Sequence, residues 1–180
     1  MIVRDMTNIA HTEEYQSNRK KFEILFSPGY LEGEKSFELS AGYSAATKNY
    51  AGKLGEYNMS VSETVMFDPS GAEAYRFQNM DDAGEFLDLI HHSNGHLYLL
   101  FRIDLYGYGV YDLTEKTEFF HVPKEPETFI WTDVHYNPGN DMLVVGGCAT
   151  TTRKSTAHYA RSTPGGIRHV ARLRACTCGR

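Results

Sequence analysis

From Leu97 to Gly147 the chain is a series of short runs dominated by β-branched, aromatic and other large apolar residues: Leu97–Ile103, Tyr108–Leu113, Thr117–Val122, Phe129–Tyr136 and Met142–Gly147. Turn chemistry cuts them apart, with a polar link at Leu113–Lys116 and Asn137-Pro138-Gly139-Asn140 before the last run. Such spacing predicts an antiparallel meander. Period-two alternation places Leu97, Leu99, Phe101 and Ile103 on one face. In the run with the single tryptophan it puts Ile130, Val134 and Tyr136 on one side and Phe129, Trp131, Asp133 and His135 on the other. Large apolar residues on both sides mean that both faces must be covered.

Earlier in the chain the signal is less even. Residues 11–21 are polar on every side, with acids first and bases last, and suit a short surface helix or an extended lead-in. Phe22, Ile24 and Phe26 alternate as in a strand that Ser27-Pro28-Gly29 ends. Phe37, Leu39, Ala41 and Tyr43 alternate with polar residues, the pattern of a half-buried strand. Residues 44–60, with small side chains and Gly52 and Gly55, are expected to be a loose connection. Val61–Phe67 and Ala74–Phe77 flank the turn Asp68-Pro69-Ser70-Gly71 as a hairpin. The one stretch with helical periodicity is Asp81–Ser93, where Ala83, Phe86, Leu87 and Ile90 form an apolar stripe and Asn94-Gly95 supplies a stop.

The expected fold is therefore mainly β (α+β): one domain over residues 1–150, a twisted antiparallel sheet of about eight strands in one layer or two, with a helix at 81–93 packed on it. At 180 residues the chain is long enough to bury a core without disulfides or metals. A hydrophobic share of 41% excludes a disordered chain. No apolar run approaches the roughly 18 residues of a membrane span, and the first ten residues carry no secretory apolar stretch, so a cytoplasmic protein is expected.

Charge changes this picture in one place. Residues 1–150 hold 11 Lys and Arg against all 23 Asp and Glu, a net of −12, whereas residues 151–180 hold 7 basic residues and no acid. An acidic body repels phosphate backbones, so nucleic acid is not an expected partner of the body. The tail has Tyr159 as its one aromatic residue. It reads as a basic arm or as sequence foreign to the domain, arising from a frame slip or cloning, and the closing Cys178-Gly179-Arg180 suits the second reading.

The hairpin chemistry invites one comparison. Thr132–Gly147 is similar to the strand-turn-strand that opens a WD-type β-propeller blade, and Gly109-Val-Tyr-Asp-Leu-Thr-Glu-Lys116 resembles the strand in which that family places Trp-Asp, with Tyr111-Asp112 in its place. Gly95-His96 stands closer to Tyr111-Asp112 than the family's spacing. The resemblance covers residues 97–147 and implies a non-catalytic protein-interaction scaffold. In other respects the chain looks like a bacterial β-rich protein.

Candidate chemistry is sparse. Asp133 and His135 beside Trp131 pair a carboxylate with an imidazole, as in an oriented general base, and would serve a hydrolase. No Gly-x-Ser-x-Gly accompanies them, and Cys148 has no activating neighbour in sequence. His92 and His96 are four apart, but Asn94-Gly95 interrupts any helix between them, and Cys176-x-Cys178 lacks a second ligand pair. No metal and no cofactor are expected. The favoured reading is a binding domain with an aromatic-rich acidic surface, its contact residues Tyr108, Phe129, Trp131, Asp133 and His135, taking a protein or small-molecule ligand.

Overall fold

The computed structural model describes residues 7–80, 87–125, 129–149, 155–163 and 166–176, the backbone alone for 129–133, 143–149 and the last two segments. The protein is mostly β, as expected, but its strands form three four-stranded sheets rather than one sheet of about eight. Sheet 1 comprises β1 (Leu31–Glu38), β2 (Ser44–Leu54), β3 (Tyr57–Phe67) and β4 (Glu73–Asn79). Sheet 2 comprises β5 (Leu87–His91), β6 (Leu97–Arg102), β7 (Tyr108–Asp112) and β8 (Thr117–His121). Sheet 3 comprises β9 (Phe129–Asn137), β10 (Met142–Ala149), β11 (Ser155–Thr163) and β12 (Gly166–Cys176). Each sheet is a meander whose strands lie side by side in chain order, and every pairing is antiparallel.

The sheets stack face to face, and alternation along β6 shows why. Leu99 and Phe101 turn toward sheet 1 and join Met66, Phe77, Leu89 and Tyr111 in one apolar cluster. Leu100 points the other way and packs with Ile90, Tyr108 and Val110 against Val134 of sheet 3. Sheet 2 is thus covered on both faces, and all five residues of β7 are buried. On the face turned to sheet 1 the fully buried ring of Phe101 lies over its cross-strand partner Gly109, where a Cβ would stand 2.4 Å from it.

The N-terminal segment starts at the interface of sheets 1 and 2, where Ala10 is buried, and passes to the outer face of sheet 1 beyond the helix. Helix α1 (Glu13–Lys20) is capped by the Thr12 hydroxyl, which accepts from the Tyr15 amide at 3.3 Å, and carries acids in its first turn and bases in its last. It buries no residue fully and is fastened by polar contacts instead. The Tyr15 hydroxyl donates to Asp104, and Arg19 donates to the carbonyls of Ile103 at 3.3 Å and Gln78 at 3.4 Å. Burial, then the neighbouring Asp104 charge, holds the Tyr15 phenol well above its ordinary range. Past the helix, Leu25 seals Tyr50, Val61 and Met80, and Gly52 leaves the room that Leu25 and Tyr30 fill.

Several expectations are corrected. Leu87–His91, placed in the helix at 81–93, is strand β5: Leu87 to His91 pair residue by residue with Phe101 to Leu97, and a tertiary partner overrides helical periodicity. Residues 81–86 of that expected helix lie outside the described residues. Glu23–Leu25 is a 3₁₀ turn rather than a strand, with Leu25 inward and Ile24 61% exposed. The alternation from Phe37 stops at Glu38, because Ala41 and Gly42 take φ of 58° and 76° in a turn. Residues 44–60 are no loose connection but most of the longest hairpin, closed at Gly55 (φ 64°). Its small residues on one face are there because that face is buried: Ala45 and Thr47 are inside, and the hydroxyls of Thr47 and Thr64 hydrogen-bond at 2.8 Å.

In the basic segment, β11 pairs with β10 through Met142–Val145 and with β12, so sheet 3 includes described residues of 151–180. Among the described residues no helix is long and apolar enough to cross a membrane.

Candidate functional site: a histidine, tyrosine and aspartate cluster at the loop end of sheets 2 and 3

The loop between β5 and β6 is closed by its own backbone, the His92 amide donating to the His96 carbonyl and the Gly95 amide to the His92 carbonyl, both at 3.0 Å. Gly95 takes φ 89°, which explains a glycine at that position. Side chains then fix the imidazoles. The Asn94 amide donates to His92 Nδ1 at 3.1 Å, so the ring carries its proton on Nε2, which faces Asp141 Oδ1 at 3.8 Å. The ring lies near-parallel to Tyr136, centroids 5.1 Å apart, and edge-on to Tyr98 at 5.6 Å.

His96 is held differently. Its Nδ1 meets Asp112 Oδ2 at 2.7 Å, which leaves Nε2 as the outward nitrogen. Asp112 ends β7 and also caps the next turn, Oδ1 accepting from the amides of Thr114 at 2.8 Å and Glu115 at 3.1 Å. Burial pushes the Asp112 carboxyl up, but the bonds from His96 and these two amides outweigh it and hold the group below the usual carboxylate range.

The third part comes from the turn between β9 and β10. Asp141 adopts φ 52°, a left-handed conformation that aspartate tolerates better than most residues. Its Oδ1 accepts from the Ser93 hydroxyl and from the Tyr136 hydroxyl, the latter at 2.7 Å, and Tyr136 in turn accepts from the Ser93 amide at 2.9 Å. The cluster therefore ties sheet 2 to sheet 3 while remaining partly exposed, Asp141 at 43% and His96 at 30% of their side chains.

The residues expected to form a site are spread out. Tyr108 is buried between sheets 2 and 3 and stacks on His121, centroids 5.3 Å apart. On β9, Val134 faces inward and His135 is exposed. The register passes from Gly146 opposite Asp133 to Gly147 opposite Trp131, a bulge at Thr132 that interrupts the alternation linking Trp131 to Asp133 and His135. The side chains of Phe129, Trp131 and Asp133 lie outside the described residues. His135 has a second carboxylate in range: burial raises the Asp88 carboxyl, while the Leu89 amide and His135 pull it back. Sequence reasoning missed Asp112, Tyr136 and Asp141 as a group because their proximity comes from stacking between sheets. Asp112 following Tyr111 and the turn Asn137–Asp141 were the available hints.

Among the described residues no group of three or more His, Cys, Asp and Glu is placed to hold a metal ion. The cluster offers instead a fixed set of donors, acceptors and aromatic faces. No family model, curated protein or solved structure matches this chain.

Proposed function

We propose that this protein is a non-catalytic, cytoplasmic bacterial-type interaction module that binds a protein or small ligand through the aromatic-rich acidic surface at the loop end of sheets 2 and 3. Consecutive four-stranded meanders stacked face to face are how β-propellers are built, so the architecture agrees with the resemblance of residues 97–147 to WD-type blades. One observation carries the binding reading over a catalytic one: the hydroxyl in the cluster best placed as a nucleophile, Ser93 Oγ, donates to the Asp141 carboxylate and not to an imidazole. A carboxylate cannot deprotonate it effectively near neutral pH. Tyrosine, histidine and aspartate held in fixed rotamers suit recognition, since little side-chain entropy remains to be lost on binding.

Affinity capture with the wild-type chain and with His96→Ala and Asp141→Asn variants, each checked for folding by circular dichroism, tests the reading. A partner that binds again in purified form and weakens at least tenfold with both variants supports it. Capture indifferent to both variants contradicts it.

A second reading rests on His135, which is exposed and has Asp88 in electrostatic range with Asp133 two residues away on the same strand. A hydrolase using Asp133 and His135 would turn over simple aryl esters or phosphates and lose that turnover in His135→Asn, with binding at the loop cluster untouched.

A further inference from the structure

Sheet 1 turns one face to sheet 2 and the other outward. The N-terminal segment covers part of the outward face, where Phe22, Leu25, Phe26 and Tyr30 pack over Tyr50 and Val61. The remainder is a groove of about 290 Å³ running across all four strands. Its floor is apolar, made by Ala46 of β2 with Val65 and Phe67 of β3, all only partly exposed. Its walls are acidic, with Glu34, Glu63 and Glu73.

Two cations stand among these acids, and one of them is ion-paired. Arg76 donates to Glu63 at 2.9 Å and to Glu73 at 2.8 Å. Lys48 lies opposite Glu34 on one side and opposite Glu63 on the other in the strand register. Three carboxylates against two cations leave the groove net negative, and Glu38 adds an exposed acid on the same face of β1. Strand β1 is an edge, exposed along nearly its whole length, and gives a ligand open access from one side.

From this complementarity we infer that the groove is a docking site for an extended basic segment of a partner protein, one that alternates cationic and aliphatic side chains. The aliphatic side chains would lie on Ala46, Val65 and Phe67 and displace water from a floor that the chain's own segment leaves open. The cations would meet Glu34 and Glu38, the exposed acids of this face that Arg76 does not engage. The acidic body steers such a segment toward this face at low salt. The surface is separate from the loop cluster and its test does not depend on that cluster.

The probe is a fluorescein-labelled eight-residue peptide of alternating Lys and Val, titrated with the full chain by fluorescence anisotropy; the same length of alternating Glu and Val is the control. The Lys-Val peptide binds and the Glu-Val peptide does not, with weakening as NaCl rises from about 20 to about 300 mM. Glu34→Lys weakens binding about three- to fivefold, and Lys48→Glu strengthens it by a similar factor, both residues being exposed enough to leave folding intact. His96→Ala leaves it unchanged, so failure here and failure of the loop-cluster reading are told apart. Absence of binding overturns the inference. Equal binding by wild type, Glu34→Lys and Lys48→Glu also overturns it, since it would mark a diffuse attraction to the acidic body. Concentration-dependent dimerisation abolished by Glu34→Lys, without peptide binding, would assign the groove to a second copy of the chain and reject the basic segment.

Discussion

Replacing Gly109 by alanine adds one methyl group beneath the ring of Phe101, its cross-strand partner in sheet 2, on the face turned to sheet 1. The new Cβ would stand 2.4, 2.5 and 3.0 Å from three carbons of the Phe101 ring. Carbon atoms prefer about 3.5 to 4.0 Å, so the ring or the strand must move by about 1 Å. The ring has nowhere easy to go, because Phe77 (centroids 4.1 Å apart) and Tyr75 (5.6 Å) hold it from sheet 1 and Phe120 (6.2 Å) holds it from β8. Overpacking of this kind costs about 1 to 3 kcal/mol. Loss of glycine's freedom in the unfolded chain returns about 0.4 to 1 kcal/mol. A net loss of about 1 to 2 kcal/mol follows, read as a fall in Tm of about 2 to 4 °C per kcal/mol for a chain of this size. Gly33→Ala on β1 is the control, since nothing lies within 4 Å of its added Cβ. Phe101→Leu should be cheaper in the Gly109→Ala background than alone, because it removes the clash, and chemical denaturation of the four proteins gives the coupling. A Gly109→Ala protein as stable as wild type, or a double variant that is merely additive, would refute the face-to-face packing of Phe101 on Gly109.

Thr47→Val leaves the buried Thr64 hydroxyl without its 2.8 Å partner and should cost about 1 to 3 kcal/mol, while Thr47→Val with Thr64→Val should recover most of the loss; urea melts of the three variants check this. Ile90→Ala, 5% exposed between sheets 2 and 3, should cost about 2 to 4 kcal/mol in the same assay. The Asp112 carboxyl is held below its ordinary value in the folded state, so its contribution is present above the unfolded value near 4 and is lost as pH falls through the folded value. Asp112→Asn should therefore lose about 1 to 3 kcal/mol at neutral pH and show a shallower decline in acid, measured by Tm from neutral pH downward.

The β character of the fold was legible because alternation and turn residues in the second half of the chain are strong local signals, and β6 to β8 fall close to the runs from which they were expected. The requirement that both faces of the meander be covered was also readable, and sheets 1 and 3 on either side of sheet 2 answer it. What was not legible depends on contacts distant in sequence. Leu87 to His91 has residues that suit a helical stripe as well as a strand, and only pairing with β6 decides between them. Ala45, Thr47 and Gly52 look like linker composition until the elements packed over them explain why small residues are required. The loop cluster joins Ser93 and His92 to Asp141 across nearly 50 positions, the hydroxyl bond alone spanning 48, and no spacing rule reaches that far. Asp133 and His135 stand out in the sequence because adjacency along a strand is visible there, whereas the bulge at Thr132 is not.

Native-state hydrogen exchange, resolved by residue, tests the stacked arrangement most directly. Sheet 2 lies between the other two, and its inner strands β6 and β7 are paired on both sides and covered on both faces, so their amides open only with global unfolding. The slowest exchange is expected at Leu99, Leu100, Phe101, Val110 and Tyr111, with the edge strand β1 exchanging orders of magnitude faster. Amides of Leu99–Phe101 exchanging as fast as those of Glu32–Ser36 would contradict the burial of sheet 2 between its neighbours.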